Sequence, residues 1–273
     1  MRWRILKPGI FKPYENMAID EAVMIGIANK GSEPTIRFYD WDPPTVSCGY
    51  NQAVDAEVDF DLLERYGYGF VRRPTGGRLV LHEKEVTYAV IAPLTGRMGG
   101  KVQDSYAEIS RALALGLQDL GMAVAFEKGQ LSVHQQRIGA NPCFSSSSRY
   151  ELAVRERKIV GSAQVRRNGV LLQHGSVLLD CDQSRLAYLL PGLLDEQRAK
   201  LADFLASRTL PINQELREKV NFATVVTALS EGFRKAWSED DFYRAADLTD
   251  IEKERVRDLV DTKYLTDEWN KRK

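Results

Sequence analysis

The chain has 273 residues, 44% of them apolar and 28% charged, which is ordinary for a water-soluble globular fold with a core large enough to need no disulfide or metal staples. Lys plus Arg equals Asp plus Glu at 38 each. That balance argues against an electrostatic nucleic-acid or membrane surface and for partners recognised locally.

The N-terminal stretch MRWRILKPGIFKPYENM has Lys7, Lys12 and Glu15 among its apolar residues and no cleavage-site pattern, and no window approaches roughly 18 consecutive apolar residues. Cys48, Cys143 and Cys181 are an odd, widely spaced set. A cytoplasmic protein with free thiols is therefore expected. His82, His134 and His174 are also scattered, so no metal site is expected.

Taken in order, YENMAIDEAVMIGIANKG has apolar residues near helical spacing and Gly31 to end it. TIRFYDW and PTVSCGY read as strands joined by the turn Asp42-Pro43-Pro44, and FDLLERYG as a short helix closed by Gly67. YGFVRR, RLVLH and EVTYAVIA read as strands, with Thr75-Gly76-Gly77 as a bend. DSYAEISRALALGLQDLG is the clearest helix: Ile109, Leu113, Leu117 and Leu120 share one face, Ser105 and Glu108 fit a capping box, and Gly121 fits the stop. AVAFE follows as a strand.

Lys128 to Arg149 is then a polar connection of about twenty residues, a length that is often functional. YELAV, KIVGSAQVRR and VLLQHGSVLLD form a run of strands with turns at Arg155-Glu156-Arg157 and Arg167-Asn168-Gly169. NFATVVTALSEGFRKAW and DIEKERVRDLVDTKY are amphipathic helices. Helices mixed with hairpins imply an α+β fold. The expected organisation is a catalytic domain over 1–215 and a helical C-terminal extension over 216–273, in a monomer.

Three segments could carry chemistry. In RRPTGGRLVLHEKEVTYAV, adjacent Gly76 and Gly77 let a ligand approach the backbone, with Arg72, Arg73, Arg78 and His82 around the bend. A tight hairpin with surface arginines is the plainer reading. No Lys-Ser/Thr pair follows the glycines, so this is not a Walker loop. In RKIVGSAQVRRNGVLLQHGSVLLD, the small residues Gly161, Ser162 and Ala163 leave room on a sheet, and His174-Gly175-Ser176 breaks the next apolar strand. Lys158 opens that run; a lysine at a turn is ordinarily a solvated charge. In IGANPCFSSSSRYEL, Cys143 sits in polar surroundings, either idle or reactive. A free thiol is only about 3% ionised at pH 7, and a nearby cation such as Lys158 would raise that fraction. Cys48 and Cys181, beside strand residues, read as packing.

Together these segments resemble the lipoate–protein ligase and biotin–protein ligase superfamily. RRPTGGRLVLHEKEVTYAV resembles its hallmark segment and RKIVGSAQVRRNGVLLQHGSVLLD the segment with its active-site lysine. NMAIDEA, IRFYDWDPPTVSCGYNQ and DTKYLTDEWN extend the likeness nearly end to end, and it is greatest to octanoyltransferases of the LipM type. In that type the sequence around the cysteine looks like CFDAPSWYEL where this chain has CFSSSSRYEL.

The resemblance implies a mixed, largely antiparallel sheet flanked by helices. It implies transfer of an octanoyl group from acyl carrier protein, through a Cys143 thioester held by Lys158, to a lysine on the lipoyl domain of the glycine cleavage H protein. Arg73, Thr75, Gly76, Gly77, Arg78, His82, Gly161, Ser162, Ala163, His174 and Gly175 would bind substrate, and no cofactor would be needed. His82 and Lys158 are both candidates to take the acceptor proton. An octanoyl-H-protein:E2 amidotransferase and an ATP-dependent lipoate ligase are the alternatives within enzymes. A non-catalytic carrier-binding relative is the alternative outside them.

Overall fold

The computed structural model describes residues 1–128, 149–245 and 247–272. The strands are β1 (Arg2–Leu6), β2 (Gly9–Phe11), β3 (Thr35–Trp41), β4 (Thr45–Cys48), β5 (Gly69–Arg72), β6 (Val80–His82), β7 (Glu85–Pro93), β8 (Ala125–Lys128), β9 (Arg149–Val154), β10 (Arg157–Lys158), β11 (Val160–Arg167), β12 (Val170–Leu178) and β13 (Asp241–Ala245). The helices are α1 (Pro13–Ala28), α2 (Val54–Glu57), α3 (Phe60–Arg65), α4 (Val102–Asp119), α5 (Asp195–Arg208), α6 (Phe222–Ala236), α7 (Asp250–Leu259) and α8 (Asp267–Asn270).

The main sheet runs β11-β12-β7-β3-β1-β13, with β2 also on β3. Neighbours from β11 to β3 are antiparallel, whereas β1 pairs in parallel with both β3 and β13. Two smaller sheets, β5-β4-β6 and β10-β9-β8, flank it. This is the mixed α+β architecture that the helix and hairpin patterns imply.

β7 shows why the sheet is central. Val86, Tyr88 and Val90 pack with Ile109, Leu113 and Leu117 of α4 and Val225, Leu229 and Phe233 of α6. Ala89 and Ile91, on the other face, pack with Met17 and Val23 of α1. A strand covered on both faces has to be apolar throughout, hence the unbroken run EVTYAVIA. A third core built on Val46, Leu63, Leu81 and Leu205 holds the small β5-β4-β6 sheet. Cys48 and Cys181 pack in that core, and burial pushes both thiols up, Cys48 to about 11.

The two hairpin turns are of the primed kind, with positive φ at both central residues: Arg155 and Glu156 at 49° and 63°, Asn168 and Gly169 at 52° and 74°. The capping box expected at Ser105 and Glu108 is not formed. α4 begins four residues earlier, because the Asp104 carboxylate accepts from the Lys101 backbone N–H and supplies the N-terminal contact. Ser105 instead donates to the Val102 carbonyl, and Glu108 pairs with Arg97.

The last third of the chain threads into these cores. α6 lies on α4, β13 joins the main sheet beside β1, and Leu259 at the end of α7 and Tyr264 beyond it join the α1 core. No described helix is long and apolar enough to cross a membrane.

Candidate active site

The smaller sheet lies over the β3–β7–β12–β11 face of the main sheet, and a pocket opens between them. Its cavity volume is about 30 Å³, a narrow slot. One wall is apolar: Met17 from α1, Tyr39 and Trp41 from β3, and Val80 from β6. The floor is Gly161, Ser162 and Ala163 of β11 against Gly175 and Ser176 of β12. Their register is Gly161↔Ser176, Ser162↔Gly175 and Ala163↔His174. A methyl group on Gly175 would sit 2.3 Å from the Gly161 carbonyl oxygen and 2.8 Å from Ser162 Oγ. Glycine here therefore lets β12 close against β11 and Tyr88, on the sheet face turned to α4.

The RRPTGG segment forms the rim. Arg72 and Arg73 are adjacent on an extended backbone, so their side chains leave in opposite directions. Arg73 lines the pocket and ties the bend together, donating to the Ser47 carbonyl and hydroxyl, to the Gly76 carbonyl and to the Arg78 carbonyl. Arg72 faces away. It donates to the carbonyls of Gly49, Tyr50 and Gln52 and to those of Trp269 and Arg272, binding the C-terminal tail to the back of the rim.

Gly77 has φ of 97°, and its carbonyl oxygen would be 2.1 Å from a methyl group on Gly49. The close crossing requires glycine at 49, and the positive φ favours it at 77. Arg78 is exposed, and its guanidinium reaches Glu57 at 3.5 Å.

Two buried histidines line the pocket, each between a carboxylate and a hydroxyl. His174 Nδ1 is 3.0 Å from Asp20 Oδ2, and its Nε2 is 2.6 Å from Thr75 Oγ1. Asp20 also meets Arg37 at 2.6 Å and the Tyr39 hydroxyl at 3.2 Å. Burial alone would raise the Asp20 carboxyl, but Arg37 and His174 hold it below its usual range. Burial pushes His174 down, against the pull of Asp20. With a carboxylate on Nδ1, His174 is assigned as the Nδ1–H tautomer accepting from Thr75.

His82 Nδ1 is 2.8 Å from Glu85 Oε1, and its Nε2 is 2.8 Å from Ser47 Oγ. Ser176 and Thr87 also donate to Glu85 Oε1, and Trp41 stacks on the imidazole with centroids 4.2 Å apart.

Of the residues singled out from the sequence, Arg73, His82, Gly161, Ser162, Ala163, His174 and Gly175 line this one pocket. Thr75 is joined to it through His174, and Gly76 and Gly77 through the rim. Lys158 is 7% exposed, on β10 three residues before Gly161, where its carbonyl accepts from the Leu210 N–H. Cys143 and its neighbours in 129–148 lie outside the described residues. Among the described residues, no group of three or more His, Cys, Asp or Glu converges as metal ligands would.

The sequence reading missed Asp20, Arg37, Ser47 and Glu85. Asp20 left a trace: with Asn16 it puts two polar side chains one turn apart on the helix, and both are fully buried.

The lipoyl protein ligase A/B catalytic domain family matches residues 12–234. A solved bipartite lipoate protein ligase from Thermoplasma acidophilum superposes with a TM-score of 0.81 at 26% identity, covering 99% of this chain and 96% of that one. The chain belongs to this ligase and transferase family. Within it, the octanoyltransferase LipM of Kyrpidia tusciae is 43% identical, with 99% of each chain covered. That of Bacillus subtilis is 38% identical, covering 98% of this chain and 97% of its own. These full-length likenesses put the chain in the LipM octanoyltransferase branch, as the sequence motifs imply.

Proposed function

We propose that this octanoyltransferase of protein lipoylation takes its acyl group from octanoyl-acyl carrier protein. The group is held as a thioester on Cys143 and delivered to a lysine of a lipoyl domain, that of the glycine cleavage H protein. The observation that carries this reading is the pocket: an apolar slot with a glycine floor, closed at its polar side by two oriented histidines. Each methylene buried as the slot opens contributes about 0.8 kcal/mol, so chain length is read as binding energy. Acceptance of a lipoyl-domain lysine is supported by the Thermoplasma ligase, a structural neighbour described together with its E2 lipoyl domain.

In this mechanism the Lys158 ammonium stabilises the Cys143 thiolate, which attacks the carrier thioester carbonyl and expels the carrier thiol. The acceptor amine then attacks the enzyme thioester, forming the amide and releasing the Cys143 sulfur. Thioester exchange is nearly isoenergetic and thioester to amide runs downhill, so no ATP is consumed. Lys158→Ala should slow acyl-enzyme formation on the order of 10–100-fold, through the lost thiolate fraction.

A donor-by-acceptor assay, run with and without ATP, tests the whole reading. Octanoyl-acyl carrier protein with apo H protein should give an octanoyl amide. Product from octanoyl-H protein and an E2 domain only would make the enzyme an amidotransferase. Product only from free octanoate plus ATP would make it a ligase.

A further inference from the structure

The Glu85–His82–Ser47 chain is not explained by folding alone. Glu85 has a fully buried carboxylate, and three donors converge on one of its oxygens: His82 Nδ1–H, Ser176 Oγ–H and Thr87 Oγ1–H. Its other oxygen has no hydrogen-bond partner among the described residues. Burying a carboxylate in this way is costly, and a neutral side chain would satisfy the same donors. A negative charge at this point has value where a positive charge forms beside it.

His82 is that place. Glu85 fixes Nδ1 as the protonated nitrogen, which leaves the Nε2 lone pair facing Ser47 Oγ at 2.8 Å. Ser47 is itself held by Arg73 Nη1 at 3.0 Å, so its own proton points to the imidazole. Ser47, His82 and Ser176 all line the pocket, and Ser176 is opposite Gly161, three residues beyond Lys158.

We propose that His82 is the proton acceptor for the incoming lysine, working through Ser47, and that Glu85 is the residue that positions it and balances the imidazolium. This rests on the thioester reading above. As the neutral amine attacks the thioester carbonyl, the carbon–sulfur bond breaks and the sulfur leaves as thiolate. The N–H proton passes to Ser47 Oγ while the Ser47 proton passes to His82 Nε2. The imidazolium then returns its proton to solvent. The charged and titratable groups around His82 are Glu85 of β7, Asp40 of β3, Arg73 of the rim and His174 of β12.

Single-turnover kinetics separate the two steps. The enzyme is loaded from octanoyl-acyl carrier protein, the adduct is quantified by mass spectrometry, and apo H protein is then added. Glu85→Gln keeps the shape and removes the charge. It should load as the wild type does but discharge at least roughly tenfold more slowly. The acid limb of its discharge profile should move to lower pH, because the imidazolium has lost its counter-charge. Glu85→Asp, which keeps the charge, should retain the wild-type limb. His82→Ala should load, discharge roughly 100-fold more slowly, and recover with added imidazole. Discharge by Glu85→Gln at the wild-type rate and with the wild-type pH profile overturns the proposal. So does a His82→Ala variant that loads normally and is as fast as wild type. A wild-type enzyme that never loads Cys143 overturns the thioester reading and this inference with it.

Discussion

The two histidines of the pocket carry nearly the same attachments and differ in one respect. Each has a carboxylate on Nδ1 and a hydroxyl on Nε2. At His174 the carboxylate of Asp20 is already matched by Arg37, which also stacks on Tyr39 at 3.8 Å and donates to the backbone carbonyl and side-chain oxygen of Asn16. At His82 the carboxylate of Glu85 meets, among the described residues, only hydroxyls and the imidazole. A carboxylate neutralised by a buried guanidinium gains little from an imidazolium. One without such a partner gains much. The His174 chain therefore reads as a strut between α1, β12 and the rim, and the His82 chain as the group poised for a proton.

Exchanging the carboxylates breaks or sharpens that contrast. Asp20→Asn leaves Arg37 buried without its counter-charge and should cost about 3–5 kcal/mol of stability, read by denaturant unfolding. Glu85→Gln should leave stability within about 1 kcal/mol while slowing discharge. Similar stability losses at both sites would erase the distinction.

Gly175→Ala is next in size. The added methyl would press on the Gly161 carbonyl, Ser162 Oγ and the Tyr88 ring and force β11 from β12, and should cost about 1–3 kcal/mol in denaturant unfolding.

Acidification gives a smaller, signed effect. Burial depresses the folded-state pKa of His174 below that of an ordinary imidazole, so the folded protein binds fewer protons there than the unfolded chain. Its contribution is present above the unfolded pKa and is lost progressively as pH falls below about 6.5. Unfolding midpoints should fall between pH 7 and 5 in the wild type and fall less in His174→Gln. Asp20, with its folded pKa lowered, holds its contribution to lower pH still. The smallest effect is Arg78→Ala, which breaks an exposed ion pair and should change stability by less than about 1 kcal/mol.

Much of this was legible in the residues. The Asn168-Gly169 turn sets the β11–β12 register, and that register puts Gly161 opposite Ser176 and Ala163 opposite His174. The small triplet and the break in the apolar strand thus marked one floor from two sides. The partners were not legible, because they come from distant strands and helices. Ser47 lies 35 residues from His82, and Asp20 lies 154 from His174. Alternation alone does not say which neighbour a buried polar side chain will find. Nor did it separate Arg72 from Arg73, which differ only in which face of an extended strand they leave. The capping box was misplaced for a related reason: several polar residues near Val102 fit the pattern, and the contact at Lys101 and Asp104 decided it.

The most direct test of the acyl-enzyme account is intact-mass and peptide mapping after mixing the protein with octanoyl-acyl carrier protein alone. The account predicts one octanoyl group per chain on the Cys143 peptide, released by hydroxylamine and missing from Cys143→Ala. An adduct of the same mass that persists in Cys143→Ala, or turnover in that variant, would contradict it.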